Sequence, residues 1–310
     1  MLAGASKALF YLLSQSRTLK RIASRYGMRT PGSFARRFVA GETLEDAIEA
    51  ARAIEAQGLL HTLDLLGESV SNLAGADQAT RAYLEVVEAV AASGIGRNLS
   101  LKLTQLGLDA DRASAVDNLR RILERAGPAG FFVRIDMESS RYTDVTLDIF
   151  ETLWRQSYRQ IGIVLQAALY RSERDLQRIN ALGARVRLVK GAYREPGTVA
   201  YQKKADVDAA YARMLKMLLV EGQAPAIATH DLAMIDLARR WADELRIGRD
   251  RFEFQMLYGV HRDFQAALAR EGYRVRVYVP FGREWFPYFM RRLGERPANV
   301  AFVLRSLMSG

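Results

Sequence analysis

Eight short segments of apolar or alternating residues recur along the chain from residue 60 onward, at intervals of about 30 residues. A stretch with the periodicity of an amphipathic helix follows each segment. This alternation is typical of βα units and of a parallel sheet, and eight evenly spaced parallel strands favour closure into a (βα)8 barrel of the TIM type. The predicted strands are 60–67, 99–106, 131–137, 161–167, 184–190, 226–230, 252–257 and 274–279.

An open, doubly wound sheet is the alternative architecture for such a pattern. That fold binds dinucleotides through a G-x-G-x-x-G sequence that follows a strand, and the chain has none. The nearest match, Gly94-Ile95-Gly96, precedes a predicted strand. The chain also lacks G-x-x-x-x-G-K-[ST], which disfavours a nucleotide triphosphatase.

Capping residues mark the ends of several predicted helices. Residues that can cap a helix N-terminus or lie in its first turn precede four helical stretches, and glycines stand at three expected C-termini. Thr43 opens a helix to about residue 57 and Asp144 opens one to about residue 158. The other markers are Ser172, Asp231, Gly127, Gly183 and Gly222.

The composition excludes several classes of site. There is no Cys among the 310 residues, so disulfides, thiolate nucleophiles and iron–sulfur ligation are excluded. The three histidines form neither H-E-x-x-H nor a close pair, and we expect no metal site. With 49% hydrophobic and 26% charged residues, the chain has the composition of a globular protein.

The net charge of +10 is unevenly distributed. Eight of the 45 basic residues lie in the first 40 positions, which contain no acidic residue, so the rest of the chain is nearly neutral. We predict two domains, an N-terminal helical arm at 1–58 and the barrel at 59–310. The basic part of the arm has no apolar run of 20 residues, so we predict that it forms an amphipathic helix or a pair of helices, which packs on the body or contacts the membrane peripherally. The predicted location is the cytoplasm or the inner face of the membrane.

Polar residues interrupt the predicted strands near their carboxyl ends, where the active sites of barrels lie. A buried ion pair could explain any one of them, but their recurrence on every strand predicts a polar ligand. An alternative is an enzyme that uses Lys102 or Lys190 as a Schiff base or as a phosphate ligand. The alternative to an enzyme is a basic protein that binds nucleic acid. The residues are Asp64, Glu68, Lys102, Arg134, Asp136, Gln166, Arg187, Lys190, Thr229, His230, Glu253, Gln255, Tyr278 and Arg283.

Six ordered motifs on successive predicted strands resemble those of the FAD-dependent proline dehydrogenases, in their compact monofunctional bacterial form. The motifs are LSLK at 99–102, RIDME at 134–138, VRLVKGAY at 186–193, ATHD at 228–231, FEFQMLYG at 252–259, and YVPFG at 278–282 leading to Arg291 and Arg292. The resemblance implies a distorted (βα)8 barrel that binds FAD noncovalently and oxidises L-proline to Δ1-pyrroline-5-carboxylate, with electrons passed to a quinone. On this resemblance we expect no nucleic-acid partner.

The resemblance also assigns roles to individual residues. It implies that Asp136 and Arg187 are catalytic. The implied substrate-binding residues are Lys102, Arg291 and Arg292 around the proline carboxylate, Tyr193, Leu257 and Tyr278 around its ring, and Glu68 as a partner of Arg291. The implied flavin-binding residues are Met137, Gln166, Arg187, Lys190, Gly191, Ala192, Arg194, Thr229 and His230.

Overall fold

The computed structural model describes residues 28, 33–67 and 69–295. Within them, eight parallel strands close into one barrel in chain order, which confirms the predicted fold class. Strand β8 returns to β1 with the register Leu60 opposite Arg276 and Leu63 opposite Val279. The strands are β1 Leu60–Leu65, β2 Asn98–Leu101, β3 Phe132–Ile135, β4 Ile161–Gln166, β5 Arg185–Val189, β6 Ala226–Ala228, β7 Glu253–Leu257 and β8 Arg274–Phe281.

Helices cover the outside of the barrel. Among the described residues, one α-helix precedes β1, and one follows each of the eight strands. They are α1 Leu44–Glu55, α2 Leu73–Ser93, α3 Arg112–Ala126, α4 Thr143–Arg155, α5 Ser172–Ala181, α6 Lys204–Glu221, α7 Leu232–Glu244, α8 Arg262–Arg270 and α9 Trp285–Glu295, with short 3-10 helices at Phe34–Arg37 and Ser140–Tyr142.

The predicted helix starts agree with the structure to within one residue. Thr43 and Asp46 form a reciprocal capping box at α1, and the Asp231 side chain accepts a hydrogen bond from the Ala233 N–H at α7. Helix α5 begins at Ser172. Helix α4 begins at Thr143, one residue before the predicted Asp144, because a 3-10 turn leads directly into it.

Strand β2 is shorter than predicted. It ends at Leu101, whereas the sequence pattern predicts a strand to residue 106. The carbonyl of Leu103 accepts hydrogen bonds from the N–H groups of Leu106 and Leu108, so the chain turns there. Gly107 has a φ of +96°, which a glycine adopts without strain. The apolar residues after Leu101 are therefore buried in a turn.

A second apolar cluster lies at the barrel mouth beside the main core. The residues that precede α1 pack there against α9, with the Phe38 and Phe289 ring centroids 6.2 Å apart. Two main-chain hydrogen bonds of 2.9 Å fix the segment, from the Ala40 N–H to the Pro280 carbonyl and from the Gly282 N–H to the Gly41 carbonyl. The described segment 33–43 therefore holds α9 in place over the mouth.

Part of the predicted arm at 1–58 lies outside the described residues. Its described portion from residue 33 onward packs directly on the barrel, with α1 against β1 and β8. The domain boundary at residue 58 stays a prediction, as does the role of the basic leader. Among the described helices, none has the length and apolar character needed to cross a membrane.

Candidate active site

A cavity of about 710 Å³ opens at the carboxyl ends of the strands, beneath α9. Its volume lies in the range of cofactor and small-molecule sites. Most of the residues that the sequence singled out line it, although they come from seven of the eight strands or the loops that follow them, and from α9. Those that line it are Lys102, Asp136, Met137, Gln166, Arg187, Lys190, Gly191, Ala192, Tyr193, Thr229, His230, Leu257, Tyr278, Arg291 and Arg292.

Two predicted residues are not placed in this cavity. Glu68 lies outside the described residues. Arg194 is exposed and is not part of the cavity wall, although its neighbour Tyr193 is. The predicted contacts of Glu68 with Arg291 and of Arg194 with a flavin therefore stay predictions.

Lys102 and two aspartates form a charged cluster in the cavity. The Lys102 ammonium lies 3.0 Å from Oδ1 of Asp64 and 3.6 Å from Oδ2 of Asp136. It lies directly after β2, whereas Asp64 belongs to β1 and Asp136 follows β3. The barrel closure therefore brings three neighbouring strand ends to one point. Because Lys102 is the centre of two ion pairs, its position is fixed before any ligand binds.

The charge state of Lys102 follows from the same contacts. Burial would lower the pKa of the ammonium, but the negative charges of Asp64 and Asp136 outweigh burial and raise that pKa above its usual value. Lys102 is therefore protonated at neutral pH. A Schiff-base lysine must lose its proton to attack a carbonyl, so this environment is unsuited to the alternative role considered for Lys102.

Tyr278 links this cluster to Arg187. Its hydroxyl donates a 2.7 Å hydrogen bond to Oδ2 of Asp136, and the Arg187 guanidinium lies 5.3 Å from the centre of its ring. Burial and the carboxylates of Asp136 and Asp64 raise the pKa of the Tyr278 hydroxyl well above its usual value. Tyr278 is consequently a neutral hydrogen-bond donor at any physiological pH.

Arg291 and Arg292 both line the cavity from α9. Adjacent helical residues point about 100° apart, yet both side chains face the mouth because α9 lies across it. Their guanidinium carbons lie 6.0 Å and 5.1 Å from the ring centre of Tyr288, which precedes them by about one helical turn. Tyr288 is itself a cavity residue that the sequence analysis missed, and the i, i+3 and i+4 spacing could have identified it.

The opposite side of the cavity carries Lys190, Gly191 and His230. The Lys190 ammonium forms ion pairs with Asp208 and with Asp231, the latter at 2.5 Å. Nε2 of His230 accepts a 2.9 Å hydrogen bond from the Leu257 N–H. The hydrogen bond from Lys190 lowers the pKa of Asp231 to about 2, although partial burial opposes the shift. Asp231 is thus a carboxylate at neutral pH.

Gly191 leaves the main chain open on this side. Its φ is +122°, and an added Cβ would lie 3.1 Å from the Cβ of Ala168. A glycine here lets a ligand approach the backbone closely. Beside it, the Gln166 amide donates a 2.8 Å hydrogen bond to the Glu138 carbonyl. These two residues supply an exposed backbone and a side chain of fixed orientation.

The charge of the cavity favours anionic ligands. Among the described residues, five basic ones line it, against three acidic ones, Asp64, Asp136 and Asp231. A carboxylate or a diphosphate would meet a net positive field there. Where the structure is described, no group of three or more metal-binding side chains is suitably placed to hold a metal ion.

Two polar residues predicted at the carboxyl ends of strands, Glu253 and Arg134, lie near the amino ends instead. Glu253 is the first residue of β7. The Arg134 guanidinium donates hydrogen bonds to the main-chain carbonyls of Ile163 and of Arg185, which begins β5. Both lie toward the amino-terminal end of the barrel, so their assignment to the carboxyl-terminal face was wrong. Each strand is so short that its two ends are only a few residues apart.

Three neighbours of the predicted site residues were not identified from the sequence. Asp231 was interpreted only as a helix cap, and Asp208 was not singled out, yet both pair with Lys190. His261 lines the cavity with its ring 6.3 Å from that of His230. Its backbone has a φ of +52°, an unusual conformation for a residue other than glycine, which the neighbouring residues do not predict.

A family model described as proline dehydrogenase matches residues 47–305 of the chain. Two relatives of similar length are close in sequence. Proline dehydrogenase 1 of Bacillus subtilis (strain 168) is 41% identical over 97% of this chain and 98% of that protein. Proline dehydrogenase of Deinococcus radiodurans is 44% identical over 90% of this chain and 91% of that protein.

Solved structures of longer proteins share the fold. Proline utilization A from Bdellovibrio bacteriovorus, inactivated by N-propargylglycine, superposes with a TM-score of 0.78 at 28% identity. The match covers 84% of this chain and 32% of that one, so this chain spans about a third of the length of that protein.

Proposed function

This chain belongs to the proline dehydrogenase family, and on that premise we propose that it oxidises L-proline to Δ1-pyrroline-5-carboxylate in the cavity beneath α9, as the first step of proline catabolism. One observation supports this location of the active site. Lys102 at the end of β2 and Arg291 and Arg292 on α9 line the same cavity as the Asp136–Arg187 pair. An amino acid places its carboxylate and its reacting carbon close enough together to engage both groups.

The proline carboxylate binds Lys102, Arg291 and Arg292. Arginine forks suit a planar carboxylate, and such charge-assisted hydrogen bonds are among the strongest in proteins. Lys102 has three N–H donors, and its shortest contact with a described residue is to Asp64, at 3.0 Å. The other two partners, Asp136 and the Tyr278 hydroxyl, lie at 3.6 Å and 3.4 Å. A carboxylate can replace these longer contacts without displacing Asp64.

The pyrrolidine ring packs against Tyr193, Leu257 and Tyr278. Leu257 ends β7 and lies opposite Tyr278 of β8 in the barrel register. Tyr193 belongs to the loop after β5, and 42% of its surface is exposed. Burying its ring against substrate would remove apolar surface from water and help to close the site.

The enzyme is flavin-dependent, and we assign FAD, held without a covalent bond, as the flavin. The net positive cavity, the open backbone at Gly191 and the fixed polar groups of Gln166 and His230 are consistent with an isoalloxazine ring and a diphosphate. Met137, Lys190, Ala192 and Thr229 complete this side of the cavity. When bound, the flavin supplies the two-electron acceptor for the hydride that leaves proline.

The residues of the chain act by orientation and electrostatics. The three cations fix the carboxylate. This places the reacting carbon, which is bonded to nitrogen and does not carry the carboxylate, on the side of Arg187. Asp136 orients the Arg187 guanidinium through a 2.6 Å ion pair, and this buried positive charge stabilises negative charge that develops nearby. Tyr278 and Leu257 exclude water from the ring. We assign no protein base to the proton of the substrate nitrogen.

A quinone is the proposed acceptor of the electrons. The purified protein should carry the visible absorbance of oxidised flavin. Anaerobic L-proline should bleach it, and a soluble quinone should then restore it. A colourless protein, or a flavin that proline leaves oxidised, would contradict the proposed function. Restoration by oxygen but not by quinone would contradict only the assignment of the acceptor.

A further inference from the structure

Arg187 is held in place by a chain of hydrogen bonds that runs through the barrel interior. Its Nε donates to Oε1 of Gln255 at 2.5 Å, while its two terminal nitrogens donate to Oδ1 of Asp136 and to Oγ of Ser100 at 2.6 Å and 3.0 Å. Every nitrogen of the guanidinium therefore has a buried partner. Gln255 is the only one of these partners that could present either a donor or an acceptor through an exchange of its amide ends.

Glu253 decides which end of Gln255 faces Arg187. The Gln255 amide nitrogen donates to Oε1 of Glu253, which lies two residues earlier on the same face of β7. An ionised carboxylate only accepts hydrogen bonds, so the amide must turn its nitrogen toward Glu253 and its oxygen toward Arg187. Both contacts are satisfied in this orientation, and both are lost in the reverse one.

Arg276 keeps Glu253 ionised and fixed. Its guanidinium donates to both carboxylate oxygens at 2.8 Å and 3.0 Å, and its remaining terminal nitrogen donates to the His61 carbonyl of β1 at 2.6 Å. Burial alone would raise the pKa of Glu253, but the charge of Arg276 outweighs it and lowers that pKa. The chain of contacts thus ends on the barrel backbone.

We propose that Glu253 and Gln255 are positioning residues that fix the Arg187 guanidinium through the polarity of the amide between them. The inference rests on the proposed function of Arg187 beside substrate and flavin. The polarity of Glu253 and Gln255 has a consequence at the cavity, where Gln255 also forms part of the wall.

Reversal of the amide tests the proposal. In Glu253→Gln, a single amide oxygen remains for three donors, because Oε1 of Glu253 accepts from both the Arg276 Nε–H and the Gln255 amide and Oε2 accepts from the other Arg276 donor. Where the new amide nitrogen takes the place of Oε1, Gln255 must accept on that side and present its own nitrogen to the Arg187 Nε–H, which places two donors against each other. The double variant Glu253→Gln with Gln255→Glu restores an acceptor toward Arg187 and conserves the total charge.

Two measurements test the effect of these variants. The first is the rate of flavin reduction at saturating proline, together with KM. We expect Glu253→Gln to slow reduction about tenfold with KM changed by less than about twofold, and the double variant to recover to within about threefold of the wild type. The second is the exchange of the Arg187 Nε–H with water, followed by NMR on protein labelled with ¹⁵N-arginine and assigned by its loss in Arg187→Met. Exchange should become fast in the single variant and slow again in the double.

Glu151→Gln is the matched control, because Glu151 is another buried glutamate that pairs with two arginines, Arg155 and Arg178, but on α4 away from the cavity. If Glu253→Gln lowers thermal stability as Glu151→Gln does, yet keeps the reduction rate and the slow Nε–H exchange of the wild type, the role is merely structural and the proposal is overturned. A double variant as slow as the single one would overturn it as well.

The exchange measurement separates this proposal from the proposed function, because it needs neither proline nor turnover. If proline fails to reduce the wild-type protein, the proposed function fails while the Nε–H signal still decides how Arg187 is held. Should Glu253→Gln not fold, the double variant is compared with Gln255→Glu, which sets two carboxylates against each other. A double variant without slow Nε–H exchange would then contradict the proposal.

Discussion

The hydroxyl of Tyr278 donates a 2.7 Å hydrogen bond to one oxygen of Asp136, whose other oxygen accepts from Arg187 at 2.6 Å. A single carboxylate thus orients both an aromatic wall of the cavity and a buried cation. The three residues come from three separate strands or strand ends, so the barrel itself sets their spacing. A change at any of them should therefore be felt by the other two.

Removing one of the paired arginines should weaken proline binding specifically. For Arg291→Met or Arg292→Met, we expect KM for proline to rise about tenfold or more, because a charge-assisted hydrogen bond to a desolvated carboxylate contributes about 1.5–3 kcal/mol. Flavin content should stay stoichiometric. Steady-state kinetics and the visible spectrum of each purified variant check both statements. Unchanged KM in both variants would remove these residues from the carboxylate site.

The ion pair of Asp231 with Lys190 should make stability depend on acid pH. The pKa of Asp231 is about 2 in the folded protein, against an ordinary value of 3.8, so the unfolded chain binds a proton more readily. The contribution to stability is present above the ordinary pKa and is lost as pH falls through the folded one, over about pH 5 to 2. Asp231→Asn retains a good helix cap but removes the charge.

The midpoint of urea unfolding, measured against pH, checks this expectation. It should fall more steeply in the wild type than in Asp231→Asn over that range. Asp236→Asn is the control, since Asp236 is a largely exposed aspartate on the same helix α7. Parallel curves for the wild type and Asp231→Asn would show that this ion pair contributes nothing to folding.

Loosening the segment beneath α9 should affect both stability and substrate binding. Phe38 is 2% exposed and packs on Phe289, so Phe38→Ala should lower the free energy of unfolding by about 3–4 kcal/mol. It should also raise KM for proline, because α9 carries Arg291 and Arg292. Phe150→Ala serves as the control, since Phe150 is equally buried but packs on α4 against Trp154. If both variants lose stability and neither changes KM, the segment 33–43 does not position α9.

The regular spacing of strands made the barrel predictable, because each βα unit buries one strand and one helix face of fixed length. The strand-end position of Lys102 and Asp136 followed from the same regularity. What the sequence could not give was direction within a short strand. Glu253 lies only two residues before Gln255, yet it faces the barrel floor and holds Gln255 in place, which periodicity cannot distinguish.

Partners that belong to different elements were also beyond sequence reasoning. Asp208 reaches Lys190 from helix α6, 18 residues away in the chain, and nothing local marks it as a partner. Tyr288 could have been found, because it lies one helical turn before Arg291. The difference is physical, since helical spacing is set by local geometry whereas contact between elements is set by how they pack.

The basic leader should bind anionic membranes through charge. Deleting residues 1–27 removes five basic residues and no acidic one, and it spares the buried Met28, whose carbonyl accepts a 3.2 Å hydrogen bond from Arg36, and the fully buried Ala35. We expect the shortened protein to retain flavin but to lose sedimentation with vesicles that contain anionic lipid. Added salt should weaken the binding of the full-length chain. Equal vesicle binding by both chains would favour an arm that merely packs on the body.

Tyr278 should determine the choice between proline and 4-hydroxyproline. Its ring forms a filled wall whose hydroxyl is already engaged with Asp136, so a substrate hydroxyl placed there would clash and lack a hydrogen-bond partner. Tyr278→Ser opens space and leaves a polar group beside Asp136. We expect the variant to lose catalytic efficiency with proline by about tenfold or more, through the lost ring contact, and to gain on trans-4-hydroxyproline relative to proline.

The measurement is the ratio of kcat/KM for the two substrates in the wild type, Tyr278→Ser and Tyr278→Phe. Tyr278→Phe keeps the ring, so its ratio should stay close to that of the wild type. If Tyr278→Ser leaves the ratio unchanged, or if the wild type uses both substrates equally well, Tyr278 does not form the wall of the substrate site.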